Sequence, residues 1–327
     1  MAPFIHRVSV THDAVSSITQ RRAHHARRAR MTKPTVTVVG STNLDITATV
    51  HRLPGPGETL LGRTLVHSPG GKGGNQALAA SRAGARVRFI TAIGSDDAAR
   101  EAHELLTADG VDLSHVLVRE DEPTGTAIIT VDHGAENTII VIAGANQHLD
   151  AGAVQARAHA VEGVVVLQGE IPVTGIQAAF AAAEDRVVFN LAPVIDVPAD
   201  LILRADPLVV NEHEGAGALK MLGGNPEGLS DKEIVRELKA AGVRSVVMTL
   251  GASGSHVMDE TGEHKIPAHT VKPVDTTGAG DAYVGALAAR LAAGDSLADA
   301  ASYASRYAAD TVTRPGAQAS YGVLPVR

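Results

Sequence analysis

Short apolar, β-branched runs alternate along this chain with Ala-rich stretches of helical spacing. The runs are Val36–Val39, Val164–Leu167, Val187–Phe189, Leu208–Val210 and Ser245–Leu250, with Arg86–Ile93 following a helix-like Asn75–Ala83. Val173–Ala183 and Lys232–Ala241 read as helices between later runs. A strand that is apolar without polar alternation is buried on both faces. Strands of that kind separated by helices form a parallel sheet covered on both sides. The expected fold is therefore α/β, a doubly wound, mostly parallel sheet with helices on both faces.

Two regions break the alternation. Asp45–His51 places β-branched residues at alternate positions, and Thr126–Asp132 and Asn137–Ile142 are strand-like, joined through His133–Glu136 as a hairpin. No helix intervenes between these strands. They predict a small β-sheet lid, with strands around residues 45–66 and 125–142, beside the main sheet and over a site. No internal repeat or low-complexity linker follows residue 33, so residues 34–327 are expected to form one domain.

Composition narrows the function classes. Of the 327 residues 44% are hydrophobic, enough for a sizeable core. Aromatics make up only 2%, which disfavours base stacking on single-stranded nucleic acid. The absence of cysteine excludes disulfides, thiolate nucleophiles and zinc–thiolate sites, and is compatible with a cytoplasmic location. No long uncharged apolar run suggests a membrane span. Residues 1–30 carry six arginines (7, 21, 22, 27, 28 and 30) against Asp13, a net of +5; the whole chain carries −7, which leaves −12 on the remainder. An acidic body does not suit a general nucleic-acid binder. The basic extension, residues 1–33, reads as a polyanion-binding arm, a targeting presequence or an artefact. Met31, just before Thr32-Lys33-Pro34 and a clean strand, favours a start there, with residues 1–30 disordered or never made.

Five motifs carry chemistry. Asp275-Thr276-Thr277-Gly278-Ala279-Gly280-Asp281 leads into Ala282–Ala293, a small-residue run that reads as a helix. Its glycines sit where unpaired N–H groups and the helix dipole favour an anion, and glycine allows close approach. Asp281 sets a carboxylate beside that anion site. A base that takes the proton of a hydroxyl attacking a phosphate explains the arrangement, and an ordinary strand-to-helix turn is the alternative. Gly70-Gly71-Lys72-Gly73-Gly74-Asn75-Gln76 is no Walker A loop, because Val66 replaces the first glycine and Gly73 the hydroxyl residue. It exposes backbone beside one ammonium and one amide, which suits a small polyhydroxy ligand as well as a plain solvated loop. Asn43 and Asp45 lie two apart after the first strand, so both can face one side and bind vicinal hydroxyls; an Asx turn is the alternative. Asn211-Glu212-His213-Glu214 offers oxygen ligands for Mg²⁺, directly or through water, or a helix N-cap with acidic residues in the first turn. Thr249–Gly254 is a nucleotide-side loop or a simple turn. The fifteen histidines form no metal-binding pattern.

In this order the motifs resemble those of the ribokinase-like carbohydrate kinase family over about residues 34–322. The residues that carry the resemblance are Gly40–Asp45, Gly70–Gln76, Thr124–Ile128, Gly144–Asn146, Gly169–Glu170, Asn211–Glu214, Thr249–Gly254, Asp275–Asp281 and Val312–Gln318. The resemblance implies ATP-dependent phosphorylation of a sugar hydroxymethyl group. D-Ribose, phosphorylated at its 5-hydroxyl, is the main expectation; a nucleoside, deoxyribose or a keto sugar is the alternative. It implies Asp281 as catalytic base and Gly278, Ala279 and Gly280 as the anion hole. Asn43, Asp45, Gly71, Lys72, Asn75 and Glu170 match sugar ligands. Asn211, Thr249, Gly251, Gly254 and Gly280 match the ATP side, and Glu214 a Mg²⁺ held through water. Asp275, Thr277, Thr311, Arg314, Gly316 and Ser320 match a K⁺ site, largely through backbone carbonyls. Ser305 departs from the family's usual Asn or His near the adenine. The resemblance further implies a homodimer through the lid sheet, and no nucleic-acid or membrane partner.

Overall fold

The computed structural model describes residues 33–134 and 136–325. In chain order the strands are β1 (Thr35–Val39), β2 (Asn43–Thr49), β3 (Thr64–Gly70), β4 (Arg86–Ile90), β5 (Ala92–Gly94), β6 (Leu117–Arg119), β7 (Gly125–Val131) and β8 (Asn137–Ile142). They continue as β9 (Val164–Leu167), β10 (Val187–Asn190), β11 (Leu208–Val210), β12 (Val246–Thr249), β13 (Ser255–Asp259) and β14 (Gly262–Ile266). The main sheet has the order β14-β13-β12-β11-β10-β9-β1-β4. Its strands run parallel from β4 to β12, and β13 and β14 add an antiparallel hairpin at one edge.

The continuous apolar runs are buried on both sides, as their composition requires. Val36, Val38, Val166 and Val188 pack onto the helices Lys72–Arg82, Ala279–Ala292 and Leu297–Thr311. Val39, Val165, Leu167 and Phe189 face the opposite way, onto Val173–Ala182, Glu212–Met221 and Asp231–Ala240. Consecutive strand residues thus feed two separate cores. Small residues let the helices Lys72–Arg82 and Ala279–Ala292 touch backbone to backbone: a Cβ added at Gly285 would lie 2.4 Å from the Gln76 carbonyl oxygen.

The chain order switches at the centre of this sheet. From β1 it passes, by way of the small sheet, to β4 on one side, and later to β9 on the other. The crevice at such a point, beyond the carboxyl ends of the strands, is where open α/β sheets bind ligands. The second sheet has the order β3-β2-β7-β8 and starts at that crevice, where Asn43 pairs with both Gly70 and Gly125. This is the small separate sheet that the irregular strands predict, with β3 as the member whose pattern was least explicit in the sequence.

One expectation needs correction, and one hairpin had none. Arg86–Ile93 is not one strand: β4 ends at Ile90, and β5 pairs with β6 instead of the main sheet. The neighbouring β1 has ended by then, with Gly40 N–H bonding Ile90 O, so the chain turns away through Thr91, whose carbonyl accepts from Leu117 N–H. The hairpin β13–β14 carried too many polar residues for a sequence reading; its turn is held by Asp259 Oδ1, which accepts from Thr261 N–H. Other boundaries shift by one to three residues. The basic extension expected over residues 1–33 lies, up to residue 32, outside the described residues. Among the described residues no helix is long and apolar enough to cross a membrane.

Candidate active site

Residues following the carboxyl ends of β1 and β9 meet at the crevice. Ser41 Oγ donates to Glu170 Oε2 at 2.5 Å, and the Lys72 backbone N–H donates to the same oxygen at 2.9 Å. Glu170 therefore sits at the N-terminus of the helix Lys72–Arg82, where a carboxylate is favoured by the open N–H groups and the dipole. The turn into that helix needs glycine twice. Gly71 takes φ +80°, and a Cβ on Gly73 would lie 2.6 Å from the Gly40–Ser41 backbone. Gly70 is also pressed close, since a Cβ there would meet the Asp45 carboxylate at 2.3 Å.

Asn43 is held by a residue that sequence reasoning assigned no role. Asn146 Nδ2 donates to Asn43 Oδ1 at 2.9 Å and to Thr42 O at 3.0 Å, while Asn146 Oδ1 accepts from Thr42 N–H. Asp45 lies two positions on, within the fields of two other carboxylates. Burial, then the charges of Glu170 and Asp281, push its carboxyl up to about 7. The Asp281 charge, more than those of Glu170 and Glu214, holds the Lys72 ammonium above its usual range against the burial that lowers it.

Asp281 is buried in the first turn of the helix Ala279–Ala292. Its two oxygens accept from two neutral amides: Asn75 Nδ2 reaches Oδ2 at 2.9 Å, and Gln76 Nε2 reaches Oδ1 at 2.9 Å. Asn75 Oδ1 in turn accepts from Gln318 Nε2. The Gly70–Gln76 and Asp275–Asp281 motifs, some two hundred residues apart, are thus one structure. Gln76 closes the first motif and Gln318 the last stretch of family resemblance, but nothing in the spacing marked either as a partner of Asp281.

On the other side of this helix N-terminus lies a cavity of about 410 Å³. Thr249, Gly251, Gly254, Gly280 and Ser305, all expected on the nucleotide side, line it together with Val271, Ala309 and Val312. Gly278 caps the helix in the left-handed region with φ +72°, and its carbonyl accepts from Tyr321 Oη. Of the first-turn N–H groups that follow, that of Ala279 donates to Thr276 O, and those of Gly280 and Asp281 have no acceptor within the helix. Gly280 has open space where a Cβ would stand, and Ser305 Oγ donates to Pro267 O.

Asn211 and Glu214 form a capping box: Asn211 Oδ1 accepts from Glu214 N–H and Glu214 Oε2 from Asn211 N–H, both at 2.8 Å. The helix-cap alternative is realised. Burial raises the Glu214 carboxyl, opposed by the Asn211 N–H and Lys72. Among the described residues no group of three acidic or histidine side chains is placed to hold a metal on its own. Asp275 ties two loops together, with Oδ1 accepting from Thr277 N–H and Oγ1 and Oδ2 from Gly316 N–H. Its N–H donates to Val312 O; of the other residues matched to the K⁺ site, Thr311 Oγ1 donates to Tyr307 O, and the Ser320 carbonyl accepts from Arg314 Nε at 2.8 Å.

A doubly wound sheet whose switch-point crevice joins a cluster of carboxylates, amides and one ammonium to a glycine-lined cavity through one buried aspartate is the arrangement expected of a small-molecule kinase. The chain belongs to the pfkB family of carbohydrate kinases, whose profile matches residues 33–322. It is 34% identical over 309 residues to a ribokinase of Haemophilus influenzae, covering 90% of this chain and 96% of that one. It is 36% identical over 305 residues to a bifunctional ribokinase/ribose-5-phosphate isomerase A of Fructilactobacillus sanfranciscensis, of which it spans 54%. Among solved structures, Thermotoga maritima ribokinase superposes with a TM-score of 0.82 at 31% identity, covering 88% of this chain and 96% of that one. Arabidopsis thaliana ribokinase, complexed with ribose and ATP, gives 0.76 at 28%, with 88% and 96% covered.

Proposed function

We propose that this chain is an ATP-dependent sugar kinase that transfers a phosphoryl group to the 5-hydroxyl of D-ribose. One observation carries the reading. Asp281 hydrogen-bonds Asn75 among the candidate sugar ligands, while the adjacent Gly280 lines the cavity on the nucleotide side. The similarity to ribokinases, one of them solved with ribose and ATP, supports the choice of substrates.

Asn43, Asp45, Gly71, Lys72, Asn75 and Glu170 hold the sugar in this reading. Their mix of carboxylates, amides and one ammonium matches a small molecule covered in hydroxyls. Asp281 accepts the hydroxyl proton. The N–H groups of the Gly278–Gly280 turn face the charge that develops on the phosphoryl oxygens, where preorganised donors are worth most. Closure of the lid sheet excludes water, which would otherwise compete as acceptor.

The residues fit two cations. A half-buried Glu214, within the fields of Lys72 and Asp281, suits a Mg²⁺ held through water, which would neutralise phosphate charge. Asp275, which holds the Gly316 N–H, suits K⁺ together with the loop residues matched to it, with the Arg314 contact at Ser320 O as the least favourable member. The lid sheet exposes Leu65, Ile128, Ile140 and Ile142 on one side, an apolar face that supports a homodimer through the lid. A cysteine-free chain without a membrane-crossing helix among the described residues fits a cytoplasmic enzyme.

The test is ADP release across D-ribose, deoxyribose, keto sugars and nucleosides, with and without K⁺. D-Ribose is expected to have the largest kcat/KM, and a much larger value for adenosine overturns the substrate. Light scattering of an Ile140→Glu variant tests the dimer: the wild type should run as a dimer and the variant as a monomer.

A further inference from the structure

Gln76 is fully buried, and each polar atom of its amide is engaged. Its Nε2 donates to Asp281 Oδ1 at 2.9 Å and to Asn190 Oδ1 at 3.0 Å, and its Oε1 accepts from Gln168 Nε2 at 2.7 Å. The orientation of this chain of amides starts from the main chain. Asn190 Nδ2 donates to Val209 O at 3.1 Å, and a backbone carbonyl can only accept. That contact settles which end of the Asn190 amide is nitrogen, so its oxygen must face Gln76. Facing that oxygen and the Asp281 carboxylate, Gln76 must present its NH₂ group, since a flipped amide would set oxygen against both acceptors. Gln168 completes the relay at a cost: its own Oε1 is buried without a partner.

We infer that Gln76 is the positioning residue of Asp281, oriented through Asn190 and Gln168. This rests on the proposed kinase reading. Oδ1 is held by a donor that cannot turn away, and Oδ2 by Asn75 Nδ2, whose own oxygen accepts from Gln318. The relay fixes the plane of the carboxylate before substrate arrives, and a base held in the productive geometry needs no reorganisation in the transition state. None of the three relay residues touches the sugar in this arrangement, so their loss should fall on kcat rather than on KM.

The experiment compares Gln76→Met, Gln76→Glu and Gln168→Met with Asp281→Asn in steady-state ribose phosphorylation over a range of pH. Gln76→Met keeps the length and removes both donors. It should lower kcat about 10- to 100-fold with ribose KM changed less than about threefold, as expected for loss of an interaction that matters in the transition state. The acid limb of the kcat profile should move to higher pH, because a donor to the charged carboxylate has gone. Gln76→Glu keeps the shape and adds a like charge, so it should move that limb further. Gln168→Met, which does not touch Asp281, should move it in the same direction by less. Folded variants of Gln76 with wild-type kcat and an unmoved acid limb overturn the inference, as does a fall in activity that only tracks the loss of folded protein in a thermal melt. Should Gln76→Met not fold, the Gln76→Glu and Gln168→Met profiles decide the matter by the same criterion. If Asp281→Asn itself keeps wild-type kcat, the kinase reading of the base fails; if only the Gln76 and Gln168 variants do, the inference alone fails.

Discussion

The Ser41 hydroxyl donates to Glu170 at 2.5 Å and so joins the ends of β1 and β9 across the switch point of the sheet. The same Ser41 Oγ accepts from Gly73 N–H at 3.3 Å, which pins the helix Lys72–Arg82 to the crevice. Ser41→Ala removes one of two donors to Glu170 and leaves an N–H without its acceptor. It should cost about 1–3 kcal/mol of stability, as for hydrogen bonds to charged groups. Ribose KM should rise more than kcat falls, because Glu170 is on the sugar side. Denaturant melts and steady-state kinetics check the two parts; an unchanged melt contradicts the structural role of the bond.

Asp281→Asn keeps the shape but cannot accept the hydroxyl proton. Turnover should fall by about two to four decades with folding intact, in line with loss of a general base. Near-wild-type turnover by the purified variant would falsify that role.

Asp45 should make ribose binding and stability depend on pH. Burial and the neighbouring Glu170 and Asp281 charges push its folded-state ionisation up to about 7 from 3.8. Between those values the folded chain binds a proton that the unfolded chain has released. The contribution to stability is therefore full below the lower value and is lost as pH rises through the upper one. Asp45→Asn should stabilise the sugar-free protein by roughly 1–3 kcal/mol at pH 8, with the difference shrinking toward pH 5. Hydroxyl donors prefer the ionised carboxylate, so wild-type ribose KM should fall as pH rises from about 6 to 8. Melts and KM measured across this range test both signs.

Gly285 is the point where two helices touch. An alanine there would place its Cβ 2.4 Å from Gln76 O and 2.6 Å from the Ala79 Cβ, both on the helix Lys72–Arg82. Gly285→Ala should destabilise by about 1–3 kcal/mol through overpacking, despite the better helix propensity of alanine. It should also lower kcat, because the same contact sets the spacing between Asp281 and its two amides. A Tm equal to or above wild type would show that the helices separate at no cost.

Much of this molecule was legible in its residues. Apolar runs such as Val164–Leu167 can be satisfied only inside a sheet covered on both faces, so burial on both sides followed from composition. Gly278, Gly280 and Asp281 pointed to an anion site and a base, with an ordinary strand-to-helix turn as the alternative, because glycine opens the backbone to an anion and a carboxylate beside it needs a reason. Arg86–Ile93 misled because strand propensity is local, whereas the end of β4 was decided by the end of its neighbour β1. Asn211–Glu214 left two chemistries open, and the capping box became visible only once its two reciprocal bonds had geometry.

By itself, then, the sequence determined the α/β alternation, the lid and the residue types of the site, because periodicity, backbone freedom and charge are properties of short segments. Only the tertiary structure decided which residues act together. It set Gln76 and Asn75 on the two oxygens of Asp281, joined Ser41 to Glu170, and turned the amides of Asn190 and Gln168 toward one another. Hydrogen bonds reach about 3 Å through space with no regard to distance along the chain. Their pairing is settled where the helices and strands pack, and no spacing in the sequence encodes it.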